Sequence, residues 1–61
     1  SEISATSTKS FEDALQKGIA RAHKTLRNVK SAWVKEQQVS VTEGAVSEYQ
    51  VNMMVTFVLD D

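Results

Sequence analysis

From residue 45 to residue 59 the chain alternates residue by residue, and a period of two over that length predicts one long β-strand. Ala45, Ser47, Tyr49, Val51, Met53, Val55, Phe57 and Leu59 occupy one face; Val46, Glu48, Gln50, Asn52, Met54, Thr56 and Val58 occupy the other. Successive side chains of a strand point to opposite sides, so the first set, with most of the large apolar groups, is the core face. Thr42-Glu43-Gly44-Ala45 is a turn signal just ahead of it. Residues 29 to 42, rich in Val, Ser, Thr and Gln, therefore read as the preceding strand of a hairpin.

The N-terminal half has a different rhythm. Residues 2 to 6 alternate briefly, with Ile3 and Ala5 against polar neighbours, and predict a short strand. Ser7, Thr8 and Ser10 supply N-cap hydroxyls. Phe11, Leu15, Gly18, Ile19, Ala22 and Leu26 then recur at spacings of three and four, which is one apolar stripe on a helix. Glu12 and Asp13 near its start, and Lys24 and Arg27 near its end, suit the helix dipole. Gly18 lies on the stripe, where close approach of a strand backbone would repay its low helix propensity. Asn28 is the expected stop.

The order is β-α-β-β in one domain, 1–61, an α+β fold with a three-stranded antiparallel sheet packed around one helix. A helix between strands one and two leaves those two parallel in direction, and the hairpin sets strand three against strand two. Strand three, the longest and best patterned, is expected in the middle. A chain of 61 residues buries a small core. With no cysteine, disulfides and thiolate metal sites are excluded as supports; a single histidine, His23, argues against a zinc site from one chain, and oligomerisation is expected instead. A net charge of −1 argues against nucleic acid and anionic membranes as partners. No apolar run approaches the roughly 20 residues that span a bilayer. No basic–apolar leader is seen, and a cytoplasmic protein is expected.

On strand two, Ala32 and Val34 are the natural core-facing residues, so Trp33 points away from the helix. A two-residue turn at Glu43-Gly44 puts Trp33 opposite Met54 and Gln37 opposite Gln50. A three-residue loop shifts this by one and needs a bulge near residues 36 to 38. In either register, Trp33 lies on the sheet face opposite the helix, near Gln50 and Asn52. An exposed aromatic there points to a partner or a ligand. One reading covers Trp33 with a neighbouring subunit. The other stacks a planar ligand on it, with Gln50 as double donor and acceptor at the ligand's polar edge.

The helix from Ser10-Phe11-Glu12-Asp13-Ala14 through Gly18-Ile19-Ala20-Arg21-Ala22 to Lys24-Thr25-Leu26-Arg27-Asn28, then Trp33-Val34-Lys35-Glu36, then Gly44 to Val51, resembles the dodecins over nearly the whole chain. The resemblance implies a β-α-β-β subunit whose sheet wraps its helix, and a hollow shell of twelve copies. It implies non-covalent binding of a flavin (FMN or riboflavin) for storage or buffering, and in some members of coenzyme A. In the flavin binders a strand-two tryptophan stacks on the isoalloxazine ring, and a glutamine after a tyrosine on strand three contacts it, which Tyr49-Gln50 matches. Ungapped alignment places the stacking position at Ser31, and Trp33 follows two residues later, on the same face about 7 Å along. The resemblance thus gives Trp33, Gln50, Ser31 and Gln37 as candidate flavin-binding residues. Members without the tryptophan have been linked to calcium, which implies an alternative: a structural or ion-binding shell.

The remaining polar residues carry less. His23 sits off the apolar stripe and reads as a surface histidine. Lys17, Arg21 and Lys24 make a basic row on the helix, either solvated or suited to the phosphates of a nucleotide or coenzyme. Glu36, Glu43, Glu48, Asp60 and Asp61 lack the spacing of a calcium loop. No phosphate loop or paired catalytic acids appear, so an enzyme is not expected.

Overall fold

A computed structural model describes residues 1–58, so Leu59, the last residue of the expected third strand, lies outside the described residues, as do Asp60 and Asp61. Its elements are β1 (Glu2–Ser7), α1 (Phe11–Leu26), β2 (Val29–Thr42) and β3 (Ala45–Phe57). The sheet order is β1-β3-β2, with β3 antiparallel to both neighbours. The longest alternating segment is thus the central strand, as its pattern predicts.

The start of α1 is built as the sequence foretells. Ser10 is the N-cap, and its Oγ accepts from the Asp13 amide at 2.9 Å. Buried Ser7 Oγ donates to Asp13 Oδ2 at 2.6 Å and accepts from the Lys9 amide at 2.9 Å. Lys17 Nζ reaches the same carboxylate at 3.1 Å. The Ser7 hydrogen bond first, and Lys17 second, hold the Asp13 carboxyl below the usual carboxylate range. At the other end Arg27 and Asn28 both adopt positive φ, at 58° and 43°, so the stop spreads over two residues.

The core lies between α1 and the sheet. Ala5, Ala14, Ala22, Val51, Met53 and Val55 are buried, with Ile3, Phe11, Leu15, Ile19 and Leu26 packed around them. Gly18 is where the elements meet. A Cβ built there would lie 2.8 Å from Met53 Cε and 3.0 Å from Ala5 Cβ. Close approach is therefore why a glycine sits on the apolar stripe. Phe11 meets Tyr49 edge-on, ring centroids 5.0 Å apart.

Helix and hairpin differ in length. Sixteen helical residues span about 24 Å and thirteen strand residues about 43 Å. β1 pairs only with residues 49 to 54 of β3. Residues 40 to 48 therefore form a two-stranded arm that neither β1 nor α1 covers, and the described chain measures 51 × 18 × 13 Å. The arm ends in a two-residue turn with Glu43 at φ 51° and Gly44 at φ 78°.

Three irregularities in the β2–β3 ladder modify the simple alternation. Lys30 and Lys35 are extra residues on β2, and Ser47 is extra on β3. The bulge at Ser47 corrects one expected facing. Val46 pairs with Val41, and the bulge brings it to the helix side with Val39 instead of the outer side. Val34 also departs from expectation. It pairs with buried Met53 on the helix side, yet it is 42% exposed because α1 lies mainly over β1 and β3.

Candidate functional site

The sheet face turned away from α1 holds the candidate residues. Partners across a ladder share a face. Trp33 stands opposite Met54, Ser31 opposite Thr56, and Gln38 opposite Gln50. From β1, Glu2, Ser4 and Thr6 stand opposite Met54, Asn52 and Gln50. Trp33 is 69% exposed, the most exposed large apolar side chain among the described residues. It therefore offers its ring to whatever covers this face.

The register separates two of the expected residues. The two-residue turn is present, and Trp33 does face Met54. The bulges at Ser47 and Lys35 shift the ladder between them by one step. Gln37 consequently pairs with Val51, on the helix side, and Gln38 takes the place opposite Gln50 that direct counting gives to Gln37. Ser31 lies on the outer face, two residues from Trp33, and is exposed.

A hydrogen-bonded row runs beside Trp33. Gln38 Nε2 donates to Gln50 Oε1 at 3.2 Å. Gln50 Nε2 donates at 3.2 Å to both Ser4 Oγ and Asn52 Oδ1. Ser4 Oγ donates to Asn52 Oδ1 at 2.6 Å, and Asn52 Nδ2 donates to Glu36 Oε1 at 3.1 Å. The N–H groups of Gln38, Gln50 and Asn52 thus all lead toward the Glu36 carboxylate. Farther across the face, Lys35 Nζ lies 3.5 Å from both oxygens of Glu2. The bulge turns both Lys35 and Glu36 toward this side, which is how two consecutive residues reach the same face. Gln38, Glu36 and Ser4 are the members that sequence reasoning missed. For Gln38 and Glu36 the signal was the bulge, which alternation alone does not locate; Ser4 follows from the plain alternation of β1 against Ile3 and Ala5.

The arrangement joins a wide apolar ring to a strip of amides, which is the chemistry for stacking a planar heteroaromatic and bonding its edge. The face is open. Concavities lie elsewhere: one of about 330 Å³ between α1 and β1, lined by Ile3, Gly18, Arg21, Ala22 and Leu26, and one of about 410 Å³ beside Ile19, His23 and Val29. Among the described residues no group of three His, Cys, Asp or Glu is placed to hold a metal ion. No helix is long and apolar enough to cross a membrane. His23 is exposed on α1, away from this face.

Comparison with known proteins agrees with this architecture. The Dodecin family model matches residues 1–60. A curated dodecin of Thermus thermophilus is 42% identical over 60 residues, covering 98% of this chain and 87% of the relative. The dodecin from Streptomyces davaonensis superposes with a TM-score of 0.94 at 34% identity, covering 100% of this chain and 90% of that one. A point variant of the T. thermophilus dodecin gives 0.93 at 41% identity, covering 100% and 91%. With its β-α-β-β order, its sheet wrapped on one helix and these matches over nearly its full length, the chain belongs to the dodecin family.

Proposed function

We propose that this chain is a non-enzymatic flavin-binding protein that stores or buffers flavin within a hollow homo-oligomer, twelve copies by family likeness. The observation that carries the reading is Trp33, exposed on the outer sheet face beside the Gln38–Gln50–Asn52 amides. A flavin is planar and apolar across its rings and rich in donors and acceptors at one edge. Trp33 fits the first property and the amide row fits the second. Because the face is open, a second copy laid over it would complete the enclosure, which ties ligand binding to assembly. Ser31 lies within reach of the same ring from the same strand.

Titration of the assembled protein with riboflavin or FMN is expected to quench flavin fluorescence at micromolar protein, and Trp33→Ala to weaken binding at least tenfold, by loss of stacking area. Absence of quenching would sink the proposal.

A second reading is a shell that binds no flavin, in which Trp33 packs against a neighbouring subunit. It is favoured by Ser31, which stands where the flavin-binding relatives stack their tryptophan. Under that reading Trp33→Ala lowers the native mass without any flavin present. A Trp33→Ala shell of unchanged mass that has lost flavin affinity would exclude it.

A further inference from the structure

Close to Trp33, the outer face holds a carboxylate without a cationic partner among the described residues, Glu36, three residues along β2. The register and hydrogen bonds bring Glu2, Glu36 and Glu48 to this face. Lys35 is there too, and its ion pair with Glu2 cancels that charge, which leaves Glu36 and Glu48 as the carboxylates without a cationic partner among the described residues. Lys30, at the bulge next to Ser31, is the nearest other cation along β2. Lys17, Arg21 and Lys24 belong to α1, on the opposite side of the sheet. Toward the far end of β3, Thr56 and Val58 are neutral.

Glu36 is the best placed of these charges. Asn52 Nδ2 holds its carboxylate at 3.1 Å, in the middle of the face and beside the amides that would read a ligand's edge. A phosphate monoester carries about −1.5 to −2 charge at pH 7. Such a group within about 8 Å of exposed carboxylates is repelled with little screening at physiological ionic strength. A second copy laid over the face brings the same carboxylates, so assembly from identical chains doubles the effect.

We propose that this face selects the uncharged flavin, riboflavin, over its 5′-phosphate, and that Glu36 is the specificity-determining residue. The proposal rests on the flavin-binding reading above. Glu36 acts on the ligand's charged tail; the ring is left to Trp33 and the amides.

The test is parallel fluorescence titration of the intact assembly with riboflavin and with FMN, at low and at high salt. Riboflavin is expected to bind roughly three- to tenfold more tightly at low salt, with the gap shrinking at high salt. Glu36→Gln retains an acceptor for Asn52 and is expected to narrow the ratio; Glu48→Gln, on the same face, narrows it less. Glu12→Gln on the helix is expected to leave it unchanged. FMN binding as tightly as riboflavin at low salt overturns the proposal. Equal narrowing by Glu12→Gln and Glu36→Gln overturns the assignment to Glu36, because the effect would then follow net charge alone. If neither flavin binds, the flavin reading itself fails and this proposal with it.

Discussion

The two ends of the β2–β3 hairpin share a composition and differ in fate. At the base, Val51, Met53 and Val55 are sealed between α1 and the sheet. At the root of the arm and along it, Val39, Val41 and Val46 share the helix side yet remain exposed, Val41 at 61%. All six sit in strand pattern. The difference is what lies above them. β1 and α1 reach the base and stop near Tyr49, where Phe11 meets its ring. Alternation fixes which side a residue faces, and the length of the covering elements fixes whether that side is dry. A two-stranded ribbon alone is marginal in water. The valine strip on the arm therefore depends on the turn and on the base to which it is anchored.

The contrast can be broken most strongly at the base. Met53→Ala empties space under α1 and is expected to cost about 2–5 kcal/mol by denaturant unfolding. Gly18→Ala adds a methyl against Met53 Cε and Ala5 Cβ. The Met53 terminus can swing away but Ala5 cannot, so overpacking outweighs the gain in helix propensity by about 1 kcal/mol. On the arm, Val41→Thr is expected to change unfolding free energy by less than about 0.5 kcal/mol. A loss that grows with protein concentration would show that a second copy covers the strip. At the tip, Glu43 holds φ 51° without a glycine's freedom. Glu43→Asn suits that conformation and is expected to raise stability by about 0.5 kcal/mol, read as a small rise in Tm.

The base also carries a pH signature. The Asp13 carboxyl titrates lower folded than unfolded, chiefly through the Ser7 hydroxyl. Its contribution is therefore present above the unfolded carboxylate value and is lost as pH falls through the folded one. Asp13→Asn is expected to flatten the fall of Tm in acid. An unchanged slope in the variant would remove this role.

Much of this was legible in the sequence. The helix stripe, the Ser10 cap, the turn and the central place of β3 all follow from local chemistry that each segment carries by itself. Trp33 opposite Met54 followed from the turn length. Gln37 did not come to Gln50, and Val46 did not stay on the outer face, because bulges at Lys35 and Ser47 each insert one residue. A bulge is a bargain between two strands, visible only when both are aligned. Val34 was misjudged for a similar reason, since the sideways placement of α1 over β1 and β3 is a property of packing and not of strand pattern.

The bulge at Lys35 has a consequence for how the gene can vary. Val34 pairs with Met53 and Glu36 with Asn52, so Lys35 has no counterpart on β3. Deleting that single codon would leave every other pairing between the strands in place. The same deletion between Ser31 and Val34 would turn part of the strand over and send Trp33 toward the helix side. Length drift in β2 is thus tolerable at the two bulge codons, Lys35 and by the same reasoning Lys30, and ruinous between them, and related chains are expected to gain or lose a residue at those positions before they do so beside the tryptophan.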